Sequence, residues 1–152
     1  MESPGYRALR KGRISLPRQV YHLTVVTKAR APFFADHRAA WSVCRRFEDA
    51  RLLADASMLA WVLMPDHVHW MVQLGSAKPL HKVVESLKAF SAADANVALD
   101  RRGSLWARGF HDRAMRQDDD LRTVARYIIA NPLRAGLARR VGDYPYWNTV
   151  YL

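Results

Sequence analysis

The sequence has a single cysteine, Cys44, among 152 residues. An internal disulfide is thereby excluded, as is every zinc pattern that needs two or more thiolates, and a reducing compartment is expected. Long apolar runs are missing too. No stretch of about eighteen apolar residues occurs, and the opening Met1-Glu2-Ser3-Pro4-Gly5 lacks the apolar centre of a signal peptide, so a cytoplasmic protein with no membrane partner is expected. Acidic residues are scarce, 14 against 24 lysines and arginines, which leaves a formal net charge of +10. A field of that sign concentrates polyanions, and nucleic acid becomes the default partner. Repeats, low-complexity tracts and linkers are also lacking, so one domain over residues 1–152 is expected.

Apolar residues, by contrast, make up 50% of the chain and include five tryptophans, enough to offset the ordering entropy of a folded core. Residues 1–18 form a basic arm with Arg7, Arg10, Lys11, Arg13 and Arg18 and little to bury. From Val20 to Lys28 apolar and polar residues alternate, which predicts a strand with Tyr21, Leu23 and Val25 on one face and His22 and Thr24 on the other. Helical spacing of Ala40, Trp41, Val43, Cys44, Phe47, Ala50, Leu53 and Ala54 predicts one amphipathic helix over Arg38–Ala56. Met58–Met64 and His67–Leu74, joined by Pro65-Asp66, predict a hairpin. Leu80, Val83, Val84, Leu87 and Phe90 begin a helix that runs to about Leu99, with Lys82 and Lys88 on its solvent face. Ser104–Arg116 is predicted to be irregular, its interleaved Trp106, Arg108, Phe110, His111 and Arg113 suited to a DNA backbone and bases. A further helix is predicted from Asp118 to a stop at Asn131, before Pro132, and a short one over Leu133–Val141 with Asn131 as its cap. An aromatic tail, residues 143–152, closes the chain.

Two groups of residues could carry chemistry. In His67-Val68-His69, strand geometry turns both imidazoles one way and Val68 and Trp70 the other, giving a preformed pair of metal ligands. Tyr127 and Asn131 stand one helical turn apart. At about 100° per residue, the stripe of Leu121, Val124, Ala125 and Ile128 centres roughly 130° from Tyr127, which leaves the phenol accessible. Taken singly, the histidines read equally as ordinary sheet residues, Tyr127 as a boundary tyrosine and Asn131 as a helix cap.

The Met64-Pro65-Asp66-His67-Val68-His69 block, the Trp106–Arg113 stretch and Ala125–Leu137 together resemble, in order and spacing, the REP-associated tyrosine transposases, relatives of the insertion-sequence transposases that move single-stranded DNA. The resemblance extends to Gln19–Lys28 and so covers nearly the whole chain. Asp66 stands where the family often has asparagine, and Trp70 where it has an aliphatic residue.

This resemblance implies an α+β fold of the ferredoxin-like, RRM-like type, a central antiparallel sheet with the histidine pair on a middle strand and the tyrosine on a helix beside it. It further implies that His67, His69 and Asn131 hold Mg²⁺ or Mn²⁺, although imidazoles alone would equally suit zinc or nickel. Tyr127 would be the catalytic nucleophile, cutting single-stranded or hairpin DNA and keeping the bond as a 5′-phosphotyrosine for strand transfer. A phenol is mostly protonated at neutral pH, so positive charge must assist it, and Arg126 is a candidate neighbour. Arg10, Lys11, Arg13, Arg101, Arg102, Arg108 and Arg113 are the candidates for gripping a hairpin, set against the alternative of a solvated basic face. A non-catalytic nucleic-acid binder, a nuclease using water, and either a monomer or a homodimer all remain compatible with the sequence.

Overall fold

A computed structural model of the chain describes residues 16–116 and 119–151. The arm residues Arg10, Lys11 and Arg13, together with Asp118, lie outside the described residues. Alternation builds the centre of the molecule. Strands β1 (Val20–Val26), β2 (Ser57–Met64), β3 (His67–Gln73), β4 (His111–Ala114) and β5 (Trp147–Thr149) form one antiparallel sheet in the order β4-β1-β3-β2-β5. The helices are α1 (His37–Cys44), α2 (Ala50–Leu53), α3 (Leu80–Ala98), α4 (Leu121–Ile129) and α5 (Asn131–Arg134). The chain is therefore α+β with a central antiparallel sheet, as the resemblance implied.

Each face of the sheet has its own core. Tyr21, Leu23 and Val25 of β1, Leu63 of β2 and Val68, Trp70 and Val72 of β3 are buried together with Ala40, Val43, Leu52, Val83, Val84 and Leu87 from α1, α2 and α3. On the reverse face Ala60, Val62, Met64 and Met71 pack against Ala125, Ile128 and Ile129 of α4. The period of two along the strands thus decides which side chains meet which helix layer. Helix starts follow from aspartates: Asp36, Asp49 and Asp120 each accept a backbone N–H from the first turn of α1, α2 and α4.

The single helix expected over Arg38–Ala56 is divided. The chain turns after Cys44, which lets fully buried Phe47 stand edge-on to Trp61 and Trp70 with centroids 5.2 and 5.4 Å away. Asp49 then caps α2, which ends at Ala54 with φ 55°. Tertiary packing of one aromatic has overridden a continuous helical pattern. Phe47→Ala is expected to cost about 3–5 kcal/mol, measured as a shift of the urea midpoint; a loss below about 1 kcal/mol would mean the ring does not anchor this corner.

Four further expectations are corrected. The stretch Ser104–Arg116 is not wholly irregular, because His111–Ala114 adds to the edge of the sheet as β4. Its aromatics are not offered to bases either: Trp106 and Phe110 are buried, and the Trp106 indole N–H donates to Ser91 Oγ at 2.9 Å. Lys88 is not on an open face but donates to the carbonyls of Ala107 and Gly109, holding that loop. In place of a helix over Leu133–Val141, one turn covers Asn131–Arg134, with Ala130 rather than Asn131 at the cap position, and the chain leaves it through Gly136 at φ 74°. The tail contributes β5, which pairs with β2. No helix among the described residues is long and apolar enough to cross a membrane.

Candidate active site

The register of the sheet gathers the polar side chains. His69 faces Thr24 on β1 and Val62 on β2, while His67 faces Val26 and Met64. Residues directly opposite share a face. His67 and His69 therefore lie on the α4 side of the sheet, and Val68 and Trp70 fill the other core, as the alternation predicted. The same side carries His22, which sits opposite Met71 on β3 and Arg113 on β4.

Both imidazoles are held through Nδ1. His67 Nδ1 donates to Asp66 Oδ1 at 2.7 Å, and the other Asp66 oxygen pairs with Arg30 Nε at 3.3 Å. His69 Nδ1 lies 3.0 Å from His22 Nε2 and 3.1 Å from Thr24 Oγ1. Each ring keeps Nε2 for a ligand, with its orientation fixed by a neighbour, the usual support of metal-binding histidines. Asp66 thus has a partner on each of its oxygens.

Burial keeps the His69 imidazole neutral. It pushes the group down to about 3, with the neighbouring His22, His67 and Arg134 acting in the same direction. His22 is also lowered, first by burial and then by the Arg113 cation. A proton taken up by the unfolded chain as pH falls through about 6.5 is refused by the folded one, so stability is full above that pH and is lost towards about 3. In a chelating buffer the urea midpoint should fall between pH 7.5 and 5, and His69→Asn should flatten that slope. An unchanged slope in the variant would contradict the buried neutral ring.

Helix α4 brings the phenol. Tyr127 is 63% exposed although its neighbours Ala125, Ile128 and Ile129 are buried, which places it off the apolar stripe. The Arg134 guanidinium lies 3.8 Å from the centroid of the Tyr127 ring, and its Nη2 donates to the Tyr127 carbonyl at 2.6 Å. Arg134, seven residues on and separated by the turn at Ala130, is thus the cation over the Tyr127 ring, although like Arg126 it is exposed. Asn131 is half-buried and its Nδ2 donates to the Ile128 carbonyl at 2.7 Å, which leaves Oδ1 as its atom for a cation.

Among the described residues no group of three His, Cys, Asp or Glu side chains is arranged to hold a metal. The His67 and His69 rings, with centroids 5.0 Å apart, make an incomplete set of ligands. Imidazole nitrogens suit zinc and nickel, and a set this small leaves most positions of any ion to water or substrate oxygens.

Of the other basic candidates, Arg113 stands beside His22 and pairs loosely with Asp119 at 3.6 Å. Arg102 and Arg108 are exposed. Arg101 is committed to its own loop: it donates to Asn96 Oδ1 at 2.6 Å and to the Ser104 carbonyl at 3.3 Å, and it covers the Phe33 ring. Sequence reasoning had not singled out His22, Thr24 or Arg134. Alternation already put His22 and Thr24 on one face, but only the pairing of β1 with β3 brings that face to the histidine pair.

A helix-borne phenol beside an arginine, on the helix that packs against the sheet face carrying two imidazoles, in a strongly basic chain, points to a protein that processes nucleic acid. The chain belongs to the IS200-like transposase family, matching it over residues 15–131. It is 29% identical over 89 residues to a REP-associated tyrosine transposase of Escherichia coli (strain K12), an alignment covering 57% of this chain and 50% of that one. The chain thus spans about half the length of the curated relative it matches. The solved structure of a REP-associated tyrosine transposase bound to a REP hairpin shares the fold, with a TM-score of 0.69 at 21% identity, covering 89% of this chain and 79% of that one. A bacterial tRNA(His) guanylyltransferase-like protein in complex with GTP also shares it, with a TM-score of 0.51 at 13% identity over 95% of this chain and 80% of the other. An architecture common to such different proteins does not decide the chemistry; the residues it carries do.

Proposed function

We propose that the chain cuts and rejoins single-stranded or hairpin DNA, with Tyr127 as nucleophile and His67, His69 and Asn131 as the holders of a divalent ion, Mg²⁺ or Mn²⁺. The observation that carries this reading is that exposed Tyr127, with Arg134 on its ring, stands on the helix covering the sheet face where both imidazoles have Nδ1 engaged and Nε2 available. When bound, the ion would supply Lewis-acid polarisation of the scissile phosphate.

The chain's own residues do the rest. Tyr127 Oη forms a bond to phosphorus as the bond from phosphorus to the 3′ oxygen breaks; the phenol proton passes to water and the departing oxygen takes up a proton. The products are a 5′-phosphotyrosine and a free 3′-hydroxyl, and attack by that or another hydroxyl reseals the strand without ATP. Arg134 offsets negative charge on the attacking oxygen and the phosphate. Asp66 and His22 hold the imidazoles in place. Arg113, Arg102, Arg108 and the arm residues Arg10, Lys11 and Arg13 would neutralise the DNA backbone.

The test uses hairpin DNA with a single-stranded flank, labelled 3′ of the cut, incubated with the protein with and without Mn²⁺. A labelled band that survives boiling in detergent and appears only with the ion is expected. Cutting that leaves a 5′-phosphate and no such band would make water the nucleophile. Tight binding without any cutting would make the chain a binder.

A further inference from the structure

Helix α4 covers part of the sheet face that carries the histidines. It packs chiefly on β2 and β5, and the core beneath it also takes in Met71 and, at one end of the sheet, Val20 and Met115. Among the described residues, this core includes none of the polar side chains at one corner of the face. There the register sets His111, Thr24 and His69 in one row across β4, β1 and β3, and Arg113 beside His22 in the next. His22 and Thr24 are half-buried, whereas His111 and Arg113 are exposed.

His22 and Thr24 already have a task, because both touch His69 Nδ1. The two β4 residues do not share it. Side chains two apart on a strand lie on one face, so His111 and Arg113 both turn to the histidine side while Asp112, opposite Leu23, turns to the other. Arg113 pairs loosely with Asp119 at 3.6 Å, and with its side chain 61% exposed most of its charge is open to a further anion.

Position then decides what can reach them. Along the row from His69 in one direction stands Val62, fully buried in the core under α4, so the helix closes that way. In the other direction lie Thr24 and then His111. The β4 backbone is two strand spacings, roughly 10 Å, from that of His69. Each nucleotide of a stacked strand advances about 3.4 Å, so a strand with one phosphate at the histidines reaches β4 within about three nucleotides.

We propose that this corner of the sheet is the floor for the unpaired DNA strand beside the cut, with Arg113 and His111 of β4 holding its backbone. Arg113 supplies a cation and His111 a ring that can donate to a phosphate oxygen, in a chain whose net charge of +10 favours a polyanion. The proposal rests on the DNA-processing function above and adds to it the direction in which the strand leaves the site.

The experiment is a binding scan by fluorescence anisotropy. Hairpin DNA with an unpaired flank is compared with the same hairpin lacking it, and the flank phosphates are made neutral one at a time as methylphosphonates. With the wild-type chain, two neighbouring positions are expected to lose about three- to fivefold in affinity each, the scale of one exposed ion pair. Arg113→Ala should lose as much on unmodified flanked DNA, nothing further at one of those positions, and nothing on the bare hairpin. Its slope of log affinity against log salt should be shallower by about one unit, and Arg113→Lys should restore most of the binding. His111→Ala should remove the sensitivity of the second position. A flat scan, losses that simply add to that of Arg113→Ala at every position, or equal losses with and without the flank would overturn the proposal. Because binding alone is read, the two ideas fail separately: coupling without a covalent adduct keeps the strand path and removes the chemistry, and an adduct without coupling does the reverse.

Discussion

Tyr127→Phe should reduce DNA cutting and adduct formation to background while leaving fold and DNA affinity in place. The substitution keeps the ring that Arg134 covers and the helix surface around it, and removes only the oxygen that would attack phosphorus. Because Tyr127 is 63% exposed, its hydroxyl is not a buried donor, and the stability change should stay within about 1 kcal/mol, the worth of one hydrogen bond at most. Denaturation, binding by anisotropy and cutting of labelled hairpin DNA would be measured on the same preparation. Persistent adduct in the variant would move the nucleophile to another tyrosine. Cutting without adduct would hand the role to water.

The second large effect is expected from replacing His67 and His69 together with alanine. Ion-dependent cutting should disappear, because both available Nε2 atoms go, while DNA affinity should change no more than a few-fold, since phosphate contacts supply most of the binding. Binding of Mn²⁺ itself, followed by the broadening of its magnetic resonance signal, should be lost in the double variant and retained in Tyr127→Phe. Undiminished cutting by the double variant would remove the histidines from the mechanism.

Much of this site was legible before any fold was known. The hairpin of β2 and β3 announced itself through two strand-like runs around Pro65-Asp66, and a period of two was enough to send His67 and His69 one way and Val68 and Trp70 the other. The same arithmetic on α4 put Tyr127 off the stripe of Ala125 and Ile128. What escaped was non-local. His22 touches His69 only because β1 pairs with β3, and Arg134 reaches Tyr127 only because the helix breaks at Ala130 and turns back. Short edge strands were missed for a related reason: β4 and β5 span four and three residues and owe their existence to the neighbour they pair with rather than to any pattern of their own. Trp106 and Phe110 misled for the opposite reason, since an aromatic beside arginines looks the same in sequence whether it stacks on a base or closes a core.

The atom that becomes joined to DNA separates Tyr127 from every rival nucleophile. After reaction with hairpin DNA and Mn²⁺, nuclease digestion would trim the adduct to a short nucleotide remnant, and mass spectrometry of the tryptic digest would locate it. Cleavage after Arg126 and Arg134 releases Tyr127–Arg134, a peptide with no other tyrosine. The remnant should sit on that peptide at Tyr127. A remnant on the peptide that carries Tyr144, Tyr146 or Tyr151, or cut DNA with no modified peptide at all, would contradict the assignment.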